Sequence, residues 1–184
     1  MSLFVGITNV GDANGTSSGP ALPPLYSSGM DSRSAPARLR GLPTWLVNQA
    51  AQTGQQLVGR HLATAGVHRY HFSTLSALAE SGPMSQAELG RRCGLDPSDV
   101  TATVAALAER GSVEKAPDPA DRRRNSIRLT GAGRRELRTL DRLVSDAQTE
   151  LLAPLDEGER ALLVRLLSRV VDHHAERRED PLPA

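Results

Sequence analysis

The chain has 184 residues, of which 39% are hydrophobic, and a formal net charge of +1 at pH 7. This length is enough to bury one substantial core. The single cysteine, Cys93, excludes an intramolecular disulfide framework and favours a reducing compartment. The first apolar run, from Leu3 to Ile7, is too short for a signal peptide or a membrane span. We therefore expect a cytoplasmic protein with one compact domain and no membrane segment.

Basic residues are concentrated in one stretch of the chain. Lys115 is the only lysine, so 21 of the 22 basic residues are arginine. Eight arginines against two acidic residues lie between Arg122 and Arg142. Arginine side chains bind phosphate bidentately and enter narrow minor grooves. The local clustering, rather than the total charge, is therefore the signal for a nucleic-acid partner.

The N-terminal quarter of the chain differs in composition from the rest. Residues 1–40 are rich in Gly, Ser, Pro and Asn and have few periodic apolar positions, so burial cannot offset the entropy of ordering them. We predict a disordered arm there. From Pro43 the apolar residues follow a helical stripe that includes Trp45 and Leu46, with proline in the first turn. Residues 41–66 are assigned to a first helix.

Three further helices are predicted before residue 111. The first runs from about Tyr70 to Ala79, with Ala79 facing inward together with the apolar residues Phe72, Leu75 and Leu78. A capping box that begins at Ser85 opens the second helix, which ends near Cys93 and Gly94. Asp96 and Pro97 start the third, in which Val100, Val104 and Leu107 are expected to be core. Two short helices joined by a tight turn that contains glycine make a helix-turn-helix.

A hairpin and two long helices complete the predicted order. Strands are expected over residues 113–116 and 125–129, joined by a turn with a basic tip. Thr130 is placed to cap a long helix that ends before Pro154, with apolar residues at alternating spacings of three and four. Asp156 begins a last helix.

The order of these elements over residues 43–177 resembles the MarR family of winged-helix regulators. The resemblance is carried by four segments: Met84–Leu89, Gly94–Ser98, Arg110–Gly111, and Asp118–Arg124 followed by Leu129 and Thr130. It implies a mainly α fold with a small β-hairpin wing, in which a winged helix-turn-helix over residues 67–130 is flanked by N- and C-terminal dimerisation helices. These are the first helix, 41–66, and the C-terminal helices, 131–177. Residues 178–184 are expected to fray.

The resemblance also implies a function. Such a protein is expected to be a sequence-specific regulator of transcription, most often a repressor, that binds double-stranded DNA as a homodimer on a pseudo-palindromic operator. In the family the second arginine of the wing motif enters the minor groove and the aspartate holds it, which here are Arg123 and Asp121. Phosphate contacts are expected from five other arginines: Arg91, Arg92, Arg122, Arg124 and Arg128.

The N-terminal turns of the third helix would present side chains to base edges. The candidates are Ser98, Asp99, Thr101 and Ala102. Ser98 and Asp99 are explained equally well as capping residues. Relatives often carry a longer polar or basic side chain where this chain has Ala102, so few direct contacts with bases are expected. DNA shape and wing insertion would then supply much of the specificity.

Two other sites are predicted. The dimer interface is expected to include Trp45, Leu151, Leu163, Leu167 and Val170, although single residues of this set could instead pack within the monomer. Family members commonly bind small aromatic or anionic ligands between the dimerisation and DNA-binding parts. The candidates for such an effector site are His61, His68, Arg69, Tyr70 and His71.

Other chemistries are poorly supported. The histidines have no Cys or acidic pair at usual ligand spacing, so no metal site is expected. No phosphate-binding loop is present, and Gly131-Ala132-Gly133 lacks a third glycine, so neither a cofactor nor enzyme activity is expected. A protein-interaction or architectural module with weak non-specific DNA binding remains the alternative. Ala102 and the near-neutral charge favour it, whereas the arginine-rich wing argues against it.

Overall fold

A computed structural model describes residues 34–117 and 125–179 of the chain. The elements in chain order are α1 (Ala37–Arg40), α2 (Pro43–Ala63), α3 (Arg69–Ser81), α4 (Gln86–Cys93), α5 (Pro97–Glu109), β1 (Val113–Pro117), β2 (Asn125–Leu129), α6 (Gly131–Leu151) and α7 (Glu157–Glu179). The described part is thus mainly helical with one hairpin, as the sequence predicted. The prediction for residues 1–33 lies outside the described residues, as does that for residues 180–184.

The short helix α1 corrects the C-terminal end of the predicted disordered arm. Pro36 precedes it in an extended conformation, and the carbonyl of Pro36 accepts the backbone N–H of Leu39 at 2.9 Å. Ala35 is buried, and α1 contacts α2. A proline that fixes φ and a neighbouring helix to pack on are sufficient to order this turn.

Helices α3, α4 and α5 enclose the core of the helix-turn-helix part. Leu75, Leu89 and Leu107 are fully buried, and they share one apolar cluster with Val100 and Val104. The predicted core positions of α5 are therefore confirmed. The inward orientation predicted for Ala79 is wrong, because the last turn of α3 extends beyond the core and leaves its residues exposed.

Local capping explains where these helices begin and end. Ser85 and Glu88 form the predicted capping box at the start of α4, since each side chain accepts the other residue's backbone N–H. Gly94 ends α4 in the left-handed conformation, with φ of 62°, where a residue with a Cβ would be strained. The turn between α4 and α5 is therefore set by sequence-local interactions.

The hairpin is antiparallel, with Val113 opposite Leu129 and Pro117 opposite Asn125. Backbone hydrogen bonds also join Met84, which precedes α4, to Ile127 in β2. Val113, Ile127 and Leu129 are buried. The base of the hairpin is thus part of the same core as the helix-turn-helix, which fixes the direction in which the wing extends.

Helix α6 lies against α2 and α3. Leu140, Val144 and Ala147 of its predicted apolar seam are buried within the chain itself. At the far end of α6, Glu150 forms an ion pair with Arg60 and a hydrogen bond with His61, both on α2. The seam therefore joins the helix-turn-helix part to α2 within the chain.

We expect Gly133→Ala to destabilise the protein. A Cβ at this position in α6 would lie 2.1 Å from the carbonyl oxygen of Ser112, so the backbone of one segment must move. Overpacking a well-packed contact typically costs about 1–3 kcal/mol. Chemical denaturation followed by circular dichroism measures the effect. Gly59→Ala in α2 is the control, because its Cβ would meet nothing within 4 Å; equal stability of the two variants would contradict this prediction.

Helix α7 projects six large apolar residues that are 40% to 58% exposed: Leu162, Val164, Leu166, Leu167, Val170 and Val171. At its start, the Arg160 guanidinium donates to the carbonyls of Leu152 and Leu155 and so fixes the turn from α6. Within the described residues, no helix is both long and apolar enough to cross a membrane. Exposed apolar helix faces of this extent mark a surface for association.

Candidate nucleic-acid interface

The N-terminus of α5 is held by Asp96. Its Oδ1 atom accepts the backbone N–H of Ser98 at 2.8 Å, the backbone N–H of Asp99 at 2.9 Å and the Ser98 hydroxyl at 2.6 Å. Asp96 is therefore the cap, and Ser98 donates to it rather than capping the helix itself. The arrangement orders the turn that a major groove would receive.

The outward face of α5 is small and weakly polar. Thr101, Ala102 and Ala105 are exposed, while Asp99 is partly covered. The Thr101 hydroxyl donates to the carbonyl of Pro97 at 2.8 Å, which leaves its lone pairs and methyl group for a partner. A face of this kind fits closely into a groove but offers few hydrogen bonds to bases.

The predicted phosphate-binding arginines lie in different environments. Arg91 is exposed and makes no ion pair with any described residue, whereas Arg92 is 3.1 Å from Glu80. Arg128 pairs with Glu114 directly across the hairpin at 2.8 Å. Exposed pairs of this kind contribute little, so phosphate can replace the carboxylate. Asp121, Arg122, Arg123 and Arg124 lie outside the described residues.

We expect the cap to give α5 an acid-sensitive stability. Hydrogen bonds from the Ser98 hydroxyl and the Asp99 backbone N–H lower the pKa of Asp96 below its ordinary value of 3.8. Stability from a depressed pKa is present above the unfolded-state value and is lost as pH falls through the folded-state value. Asp96→Asn keeps a capping oxygen but cannot titrate. Thermal melts should therefore show that the wild type unfolds at a higher temperature than Asp96→Asn at neutral pH and that this difference shrinks at about pH 3. A difference in melting temperature that is the same at both pH values would contradict the prediction.

The five candidate effector residues fall into two groups. His61 lies on α2 and bonds to Glu150 at 3.0 Å. The other four lie at the start of α3, where His68 and His71 form a capping box and the Arg69 guanidinium lies 5.0 Å from the centre of the Tyr70 ring. Burial lowers the pKa of His71, which favours its neutral form. The two histidines of the capping box are thus already engaged in local structure.

An open cavity of about 480 Å³ lies between the α2–α3 connection, the end of α5 and the start of α6. Its lining residues are Ala65, Arg110, Ser112, Ala132, Glu136 and Thr139. None of these six was predicted as a ligand residue. Arg110 belongs to a segment that carried the family resemblance, but neither it nor Glu136 was predicted as a site residue, because only the fold brings the end of α5 and the start of α6 together.

Burial divides the predicted interface residues. Leu167 and Val170 are exposed, and Leu163 is partly exposed. Leu151 packs towards Gly54 of α2 inside the chain, and Trp45 is only 3% exposed. The assignment of Trp45 to the interface stays a prediction that its burial does not favour. Three exposed apolar side chains at the start of α2 were not predicted as interface residues: Leu42, Leu46 and Val47. The spacing of four residues between Leu42 and Leu46 was a signal that could have indicated them.

Two features bear on other chemistries. Among residues 34–117 and 125–179, no three His, Cys, Asp or Glu side chains are grouped to hold a metal ion. Cys93 lies partly buried beside the core, and burial raises the pKa of its thiol. Reactive thiols have a lowered pKa instead, so the environment of Cys93 is that of a structural residue.

A model of the MarR family matches residues 65–124, which contain the helix-turn-helix and most of the wing. The uncharacterized HTH-type transcriptional regulator YcgE of Bacillus subtilis is 32% identical over 135 residues, covering 73% of this chain and 81% of YcgE. The chain belongs to the MarR family. It is therefore a transcription regulator, and the predicted resemblance and fold class are confirmed.

Two other MarR-family similarities are informative. The HTH-type transcriptional repressor NicR of Pseudomonas putida is 36% identical over 104 residues, covering 55% of this chain and 64% of NicR. The crystal structure of apo MarR from E. coli superposes with a TM-score of 0.64 at 25% identity, over 70% of this chain and 96% of that one. The shared region thus extends well beyond the DNA-binding segment.

Proposed function

We propose that this protein is a homodimeric repressor that binds a pseudo-palindromic operator in duplex DNA. The observation that carries the proposal is the exposed N-terminal face of α5, ordered by Asp96 in a helix-turn-helix whose core also includes the base of the wing. A helix of this diameter fits the major groove, and the residues at its start meet base edges. The arginine-rich tip, residues 121–124, would reach the adjacent minor groove with Arg123.

The dimer is proposed from the exposed apolar surface. Helix α7 and the start of α2 carry nine large apolar residues that are at least 40% exposed, and most of them lie on α7. A second copy of the chain can cover the same surface on both subunits, as two-fold symmetry requires. Two winged helices are also needed for useful specificity, because one reads only a few base pairs.

Repression and its relief are proposed from the relatives and from α3. NicR is named a repressor, and it is 36% identical to this chain over 104 residues. The exposed Arg69 guanidinium stacked on Tyr70 offers a positive charge beside an aromatic ring, which suits a small aromatic anion. A regulator that acts on chromosomal DNA in this way works in the cytoplasm. Release of the operator by an aromatic carboxylate such as benzoate tests the effector part of the proposal.

DNase footprinting on the DNA that flanks the gene tests the proposed function. We expect two protected half-sites with centres about one helical turn apart, roughly 34–36 Å. Sedimentation of the same preparation should show a dimer with and without DNA. Diffuse protection with no preferred sequence would favour the alternative, a winged-helix interaction or architectural module.

A further inference from the structure

Glu136, in the second turn of α6, is bound on both of its carboxylate oxygens. Its Oε1 atom accepts from Arg110, with Nε at 2.8 Å and Nη2 at 2.7 Å. Its Oε2 atom accepts a hydrogen bond from the Ser112 hydroxyl. The side chain of Glu136 is only 14% exposed. Bonds to an ionised acceptor with two donors from one guanidinium are among the stronger ones in proteins.

The two partners of Glu136 belong to the DNA-contacting elements. Arg110 is the C-cap of α5, and Ser112 immediately precedes β1, which is one strand of the wing. The Arg110 guanidinium also approaches the carbonyl oxygen of Ala65, between α2 and α3, at 3.5 Å. One carboxylate therefore joins α6 to the end of α5, the base of the wing and the α2–α3 connection.

The other arginine–carboxylate pairs between described residues are more exposed on the carboxylate side than the pair of Glu136. Arg60–Glu150, Arg92–Glu80 and Arg128–Glu114 are exposed on both partners, with side-chain exposures between 48% and 62%. Such pairs are screened by water and salt. In the Arg110–Glu136 pair the carboxylate is largely buried although the Arg110 side chain is 40% exposed, two guanidinium donors meet the one oxygen Oε1, and the pair lies where four segments meet. Its loss should therefore change the relative placement of those segments.

We infer that Glu136 is a positioning residue, which fixes the end of α5 and the base of the wing against α6 through Arg110 and Ser112. Helix α6 is followed, after a turn, by α7, the proposed dimer helix. In a dimer, the distance between the two winged helices would therefore depend on this contact. The inference rests on the proposed DNA binding and adds a residue that does not itself touch DNA.

The charges of the pair provide a sharp test. If only electrostatic attraction to DNA mattered, Glu136→Gln would strengthen binding, because it removes a negative charge, and Arg110→Gln would weaken it. Positioning instead predicts that both variants lose affinity for the operator by about tenfold, as for residues that couple two sites. Affinity for scrambled DNA should stay within about twofold. The double variant should bind the operator no more weakly than the weaker-binding single variant, because both substitutions remove the same contact.

Glu150→Gln is the matched control. It removes the same charge from the same helix and changes the contacts with Arg60 and His61 of α2, far along α6 from α5 and the wing. We expect its operator affinity to be unchanged or slightly higher. The measurements use the full chain and fluorescence anisotropy, after titration to determine the active fraction of each variant.

Amide hydrogen exchange of the free protein separates this inference from the proposed function. Glu136→Gln should speed exchange over residues 107–116, and Glu150→Gln should not. If the wild type shows no preference for the operator, the proposed function fails and the exchange result alone decides the positioning role. Unchanged exchange, an operator affinity of Glu136→Gln that equals the wild type, or additive losses in the double variant would each overturn the inference.

Discussion

Val170→Asp should dissociate the proposed dimer and with it abolish tight operator binding. Val170 is 58% exposed on α7, so the substitution should leave the fold of the single chain nearly unchanged. In a two-fold interface the aspartate enters twice, and each copy must be desolvated without a partner. We expect the dimer dissociation constant to rise by at least about a hundredfold, roughly 3 kcal/mol.

Sedimentation equilibrium measures this effect, with circular dichroism to confirm the fold. Gln148→Asp is the control, because it adds the same charge at an exposed position of α6. Its dimer should match that of the wild type. A Val170→Asp protein that remains dimeric at micromolar concentration would show that α7 is not the interface. It would favour an interface at the exposed start of α2 instead.

Arg123→Ala should weaken operator binding by about 1–3 kcal/mol, the scale of one lost groove contact, and leave the dimer intact. The expectation comes from the family's wing motif and from the base of the hairpin, which is anchored in the core by Val113, Ile127 and Leu129. The base of the hairpin is therefore fixed to the core of the helix-turn-helix.

The control for this variant is Arg142→Ala, which removes one positive charge from an exposed position on α6. Anisotropy titrations of operator and scrambled duplexes separate the two contributions. Arg123→Ala should lose preference for the operator, whereas Arg142→Ala should change both affinities slightly and equally. Equal effects of the two substitutions would mean that the wing supplies charge but no groove contact.

Local sequence signals predicted the elements of the fold well. The capping box at Ser85, the cap and proline at Asp96 and Pro97, and the cap at Thr130 each act within four residues, so their outcome depends little on the rest of the chain. The periodic apolar residues of α5 likewise required only a core on one side. The order of these elements then indicated the family.

Contacts between distant segments could not be predicted in the same way. Glu136 and Arg110 are 26 residues apart, and no local pattern pairs them rather than any other glutamate and arginine. Trp45 illustrates the converse, because an aromatic residue on an amphipathic helix suits an interface and a core equally well. Within the chain Trp45 is buried, whereas Leu46 and Val47 beside it are exposed, so burial alone does not assign Trp45 to the interface.

The most direct test of the central claim is the anisotropy of the purified protein with labelled DNA flanking its gene, in the presence of scrambled competitor at two salt concentrations. Tight binding that resists the competitor and falls steeply with salt is expected of a dimer that reads its operator and neutralises several phosphates. Weak binding that the scrambled duplex competes away equally would contradict sequence-specific regulation by this protein.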